Sequence, residues 1–190
     1  MIPDAEIERM FADHIATLQH HGPIDYLRWK KPESGVFAIR YYLHGGILMI
    51  NGDVGDAILQ WSHSESDPKS FAWIAECNFG YYASKLQASA YGRDGKVWNE
   101  ENAAQWLDQY FKDNKDEIDI KGDEFEIYTP YGHIENQHVW CDYLSRHGDK
   151  FFGSDAYEYA SIGMEYDVTL YIQYRGLQAA VKQLSQKGAI

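Results

Sequence analysis

Apolar residues recur at helical spacing at the start of the chain, where Ile7, Met10, Phe11, His14, Ile15 and Leu18 fall on one face behind Pro3 and Asp4. The spacing predicts a helix over about residues 4 to 20, ended by Gly22-Pro23. The pattern then changes. Segments 24–31, 36–43, 47–50 and 56–61 are short and rich in β-branched and aromatic residues. Pro32-Glu33-Ser34-Gly35, His44-Gly45-Gly46 and Asn51-Gly52-Asp53-Val54-Gly55 separate them, and their glycines and asparagine suit tight turns. Leu27 and Trp29, then Phe37, Ile39 and Tyr41, alternate with polar or small residues, as one buried sheet face requires. Four strands with tight connections predict an antiparallel meander.

From Asp67-Pro68, a cap followed by proline, the period becomes helical through Phe71, Ile74 and Ala75. A piece rich in small residues follows over 79–89, and then a longer helix from the cap Asn99 to about Asn114. Residues 118–127 alternate as a short hairpin or anchored loop would, and 134–152 predict a helix. Val168 to Ile172 is strand-like locally, but Leu170, Tyr174, Leu177, Val181 and Leu184 keep a 4-3-4-3 spacing. A closing helix is therefore expected, with Gly176 inside it at a cost of about 1 kcal/mol. The fold class is α+β: a small antiparallel meander sheet over about 24–61, packed with helices from about 67 to 190, in one domain over 1–190.

Charge adds direction to this outline. The 190 residues carry a formal net charge of −12. The segment from Asp94 to Glu126 holds eleven acids against four lysines, so −7 sits in this one stretch. Such a field repels nucleic acid and membrane surfaces and attracts basic partners. The two cysteines, Cys77 and Cys141, form no disulfide framework. The first residues lack the basic start and apolar run of a signal peptide, and no stretch approaches a membrane span, so a soluble cytoplasmic protein is expected.

Candidate chemistry is sparse. His138, Cys141 and Asp142 share one helical face at i, i+3 and i+4, and His133 lies nearby. Zinc accepts all these ligand types, but no paired Cys-x-x-Cys accompanies them, and the apolar face also needs Cys141. Neither a metal nor a cofactor is called for, and no catalytic residue is assigned. His14, His20 and His21 suit the C-terminal end of the predicted first helix. Asn51 to Asp56 lacks the Gly-Lys-Ser/Thr of a phosphate loop and the carboxylates of a calcium loop, which leaves a β-turn. Arg28, Lys30, Lys31 and Arg40, interleaved with Tyr26 and Trp29, form a small basic cluster that could stack on nucleic acid, against the field of the whole chain.

The acids themselves are the remaining candidate. A helix over 100–116 is about 25 Å long. Duplex DNA of that length presents about fifteen charges, and the helix has five acids and two lysines, so it does not copy a duplex. The stretch from Asp113 to Glu126 is denser. Carboxylates pair bidentately with arginine much as phosphates do. The expected contact set is Asp113, Asp116, Glu117, Asp119, Asp123, Glu124 and Glu126, with Tyr128 and Tyr131 as aromatic anchors.

Leu27-Arg28-Trp29, Phe37-Ala38-Ile39-Arg40-Tyr41, Gly52-Asp53-Val54-Gly55-Asp56-Ala57-Ile58-Leu59-Gln60-Trp61, Phe79-Gly80-Tyr81-Tyr82-Ala83-Ser84-Lys85 and Gly176-Leu177-Gln178-Ala179-Ala180 resemble segments of a family of small phage- and prophage-encoded proteins. That family includes an anti-CRISPR inhibitor of the type I-C interference complex. The resemblance covers most of 24–89 and part of the tail, on motifs that are structural. It implies a non-enzymatic inhibitor, acting in the cytoplasm of a bacterial host. Its partner would be a basic DNA-binding surface of a host CRISPR-Cas complex, type I-C Cascade, from which it excludes DNA without binding nucleic acid or membrane itself. The alternatives are a hydrolase or transferase that modifies a host factor, and a self-associating phage protein, a homodimer for instance.

Overall fold

The computed structural model describes residues 2–64, 66–67, 69–89, 95–114 and 129–190. The chain forms two compact units, one of Met1–Gly95 with Tyr166–Ile190 and one of Lys96–Glu165. The α+β class is observed, with a six-stranded antiparallel sheet and several helices.

In the first unit α1 (Asp4–Met10) precedes β1 (Ile15–His21), β2 (Ile24–Lys30), β3 (Ile39–His44), β4 (Ile47–Gly52) and β5 (Ala57–Gln60). Next come α2 (Phe71–Glu76), α3 (Phe79–Ala83) and β6 (Leu86–Ser89). The six strands lie in chain order across the sheet. The sheet therefore extends beyond 24–61 on both sides.

Two of the added strands were expected to be helix. The first helix ends at Met10, not near residue 20, and residues 15–21 pair along their whole length with β2, from Ile15↔Lys30 to His21↔Ile24. Gly22-Pro23 is the turn of that hairpin and not a helix stop. The β-branched Ile15 and Thr17 fit a strand, and seven cross-strand pairs outweigh a helical period that six residues happened to satisfy. Likewise 79–89 divides into α3 and β6, because Leu86 finds Leu59 across the sheet. Phe37 lies before β3 with φ 56°, outside the alternation expected of it. Helix α2 is capped by Ser70, whose Oγ accepts from Trp73 N–H at 3.1 Å, not by Asp67-Pro68.

The closing helix forms as expected: the next helix that belongs to this unit runs Val168–Gln186 and covers the inner face of the sheet. Leu27, Trp29, Ile39, Tyr41, Leu48 and Leu59 on that face are all buried. Tyr41 Oη donates to Gln173 O at 2.7 Å, and Gln173 Nε2 donates to Val54 O and Gly55 O at 3.1 and 3.0 Å. Gly176 is the contact point. A Cβ there would lie 2.8 Å from both Ile39 Cδ1 and Tyr41 Oη, so the glycine that weakens the helix lets it approach the sheet.

His14 is buried between Phe11 and Trp29 and not at a helix end. Its Nε2 lies 3.3 Å from Phe37 O. Burial holds its pKa below the ordinary 6.5, opposed by that carbonyl. A histidine depressed in the folded state binds fewer protons folded than unfolded, so stability is lost as pH falls below about 6.5. Melting temperatures should drop between about pH 7.5 and pH 5, and His14→Gln should remove part of that drop in thermal melts followed by circular dichroism.

The second unit holds β7 (Lys96–Trp98), α4 (Glu100–Asp113), a 3₁₀ turn (Pro130–His133), α5 (Gln137–Phe152), a second 3₁₀ segment (Gly153–Tyr159) and β8 (Met164–Tyr166), which pairs with β7. The last helix, Val168–Gln186, is thus α6. Asn99 and Asn136 cap α4 and α5 by accepting from Asn102 and Val139 N–H. Asn99 and Asn102 also donate to Glu165 at 2.8 and 2.9 Å, which ties the start of α4 to β8. Those amides, that of Asn99 foremost, hold the Glu165 carboxyl below its usual range. A separate core forms around Leu107, Trp140, Tyr143, Leu144, Phe151 and Phe152.

Candidate functional site

Of the expected contact residues, Asp113 and Tyr131 lie among the described residues; Asp116, Glu117, Asp119, Asp123, Glu124, Glu126 and Tyr128 lie outside them. Asp113 is the exposed last residue of α4 and accepts from Gln109 Nε2 at 2.7 Å. Tyr131, on the 3₁₀ turn, donates its hydroxyl to Asp108 Oδ1 at 2.7 Å and sets its ring 5.8 Å from Phe111. Burial, then the carboxylate of Asp108, pushes the Tyr131 phenol up to about 12. An exposed aromatic edge therefore lies beside acids of α4 as a fixed, neutral hydrogen-bonding group.

The acidic character reaches further than the segment that charge counting along the chain singled out. The unit of Lys96–Glu165 contains sixteen acids against six lysines and arginines, a net of −10 out of the chain's −12. Glu100, Glu101 and Asp108 on α4 are exposed, and so are Glu135, Asp142, Asp149, Asp155 and Glu158. The last five follow residue 127, outside that window, and belong with the acids before it only because the chain folds back into one unit. Arg146 pairs with Asp142 at 2.9 Å in this unit.

The other cluster does not assemble. His133 stacks on Tyr143 at 4.8 Å, and Asp142 turns to Arg146. Cys141 is a half-buried free thiol, as is Cys77 in the first unit. No group of three or more metal-ligating side chains occurs among the described residues. There too, no helix is long and apolar enough to cross a membrane.

The basic cluster divides between two faces of the sheet. Trp29 is buried, whereas Arg28 and Arg40 stand directly opposite each other on the outer face. Lys31 leaves the sheet to pair with Asp13 at 2.7 Å. The Asn51–Asp56 turn joins β4 to β5 as expected. His20 pairs with Asp25 at 2.6 Å across the first hairpin.

No family model, no curated protein and no solved structure matches this chain.

Proposed function

We propose that the chain is a binding protein without chemistry of its own, whose acidic unit fills a basic groove on another macromolecule. The observation that carries this reading is the segregation of charge, with −10 of −12 in one compact unit. Exposed carboxylates there are positioned to meet arginines and lysines that otherwise hold nucleic acid, and complementary charge speeds encounter and selects the partner. The partner that the sequence resemblance puts forward is a host CRISPR-Cas interference complex of type I-C, in the cytoplasm of the infected bacterium. There the chain acts as an inhibitor that excludes DNA. The alternative chemistry of His133, His138, Cys141 and Asp142 has less support, since two of these side chains are turned to other partners.

The test is capture of purified type I-C Cascade by the chain, with and without target DNA, across a salt series. Binding should weaken steeply with salt, need equal amounts of the two components and be displaced by DNA. Replacing Asp113, Asp116, Glu117 and Asp119 with lysine should abolish capture while leaving the thermal melt in place. Undiminished capture by that variant rejects this face, and capture that salt does not weaken rejects the electrostatic reading.

A further inference from the structure

The outer face of the six-stranded sheet carries chemistry opposite in sign to the acidic unit. Side chains alternate between faces, so residues two apart on a strand share one. Register places Tyr26 opposite Tyr42 and, in the adjacent row, Arg28 opposite Arg40. The two tyrosines stack at 4.9 Å with 26° between their planes. Tyr26 also meets the ring of His21 at 6.4 Å, whereas Tyr42 turns its other side to a groove.

On the free side of Tyr42 lies a groove of about 450 Å³, bordered by Met49, Ile58 and Ala88 and, at one end, by Asn51, Asp56 and Ser89. Met49 and Ile58 are 48% and 40% exposed, large apolar side chains left facing outward. Ala88 stands opposite Ile58 on β6 and keeps the far side of the groove low.

The arginines are the unusual feature. Like charges directly opposite on neighbouring strands are unfavourable. Among the described residues neither guanidinium has an ion-pair partner. Arg40 Nη1 donates to Asn51 Oδ1 at 2.9 Å, and Asn51 Nδ2 donates to Asp56 Oδ1 at 3.0 Å. Arg28, Arg40, Asn51 and Asp56 thus form a polar line along the row beside the aromatic one, two residues or about 7 Å further along the strands. A bound anion bridging Arg28 and Arg40 relieves their repulsion.

The geometry points to a nucleoside-phosphate site on this face. The base stacks on the free face of Tyr42 over Met49 and Ile58, the ribose hydroxyls meet Asn51 and Asp56, and the phosphate bridges Arg28 and Arg40. Aromatic stacking tolerates any base, and paired guanidiniums suit phosphate oxygens. A free nucleotide is favoured over a strand, because two arginines serve one phosphate and a field of −12 opposes a polyanion.

Isothermal titration calorimetry of the full chain tests this with adenosine 5′-monophosphate, beside inorganic phosphate, adenosine and an oligoadenylate of about eight residues. The monophosphate should bind with a Kd of about 1 mM or tighter, and phosphate and adenosine about tenfold more weakly. Arg28→Ala with Arg40→Ala should cost about tenfold or more in affinity without lowering the melting temperature, since both side chains are exposed and repel each other. Tyr42→Leu, which keeps an apolar side chain, should weaken binding as well. No binding of the monophosphate, equal binding of inorganic phosphate, tighter binding of the oligoadenylate, or full affinity in the double variant would each overturn the assignment.

Discussion

Gly52→Ala should unfold the first unit or destabilise it by about 4 kcal/mol or more, the class of loss reserved for specific steric or backbone failures. Gly52 ends β4 opposite Ile39 with φ at +150°, a region that L side chains rarely adopt. A Cβ built there lies 2.0 Å from Ala38 O and 3.0 Å from Ala38 C. The obstacle is backbone, and the same oxygen accepts from Asp53 N–H at 3.0 Å, so it cannot move aside without opening the turn. Gly22→Ala is the control. Gly22 has φ +59° in the first hairpin turn with nothing within 4 Å of the added carbon, so its cost should stay near 1 kcal/mol. Urea unfolding of the two variants separates the effects, and similar small losses in both would show that β3 and β4 are not paired in this register.

Trp140→Ala should cost about 3–5 kcal/mol, confined to the unit of Lys96–Glu165. Trp140 is fully buried, stacks on Tyr143 at 5.4 Å and meets Phe152 edge-on at 5.8 Å. Its Nε1–H donates to Tyr159 O at 2.8 Å, joining α5 to the second 3₁₀ segment. Trp140→Phe keeps most of the apolar area and loses that bond, so it should cost less, about 1 kcal/mol for the hydrogen bond plus the change in volume. Each unit has its own apolar cluster. Hydrogen exchange should therefore show protection lost along α4 and α5 while the amides of β3 and β4 stay protected. Equal loss in both units would show that they unfold as one.

The elements that could be read from sequence were those with strong local signals. Asn99 caps α4 through its side chain, and the 4-3-4-3 spacing of Leu170 to Leu184 outweighs the strand-like start of α6. The connections from β2 to β5 followed from their turn residues, whereas Gly22-Pro23 has the residues of a helix stop and turns the first hairpin instead. Residues 15–21 and 86–89 misled because each is short and half apolar, so the pattern permits either helix or strand. Partners far along the chain decided them: β2 for the first and β5 for the second. For the acidic site, counting charge along the chain found Asp113 and its neighbours but not Glu135, Asp149 or Glu158, which fall in a different window of sequence.

By itself the sequence determined the α+β class, the positions of the long helices, the tight turns of the meander and the excess of acid, because all of these are local or additive properties of residues. Tertiary structure alone decided three others: that the first helix yields to an edge strand, that Gly176 is where α6 meets the sheet, and that Arg28 and Arg40 stand side by side next to stacked tyrosines. Each depends on strand register or on the approach of a helix to the sheet. Those are settled by pairs of residues distant in the chain, whose energies no local pattern contains.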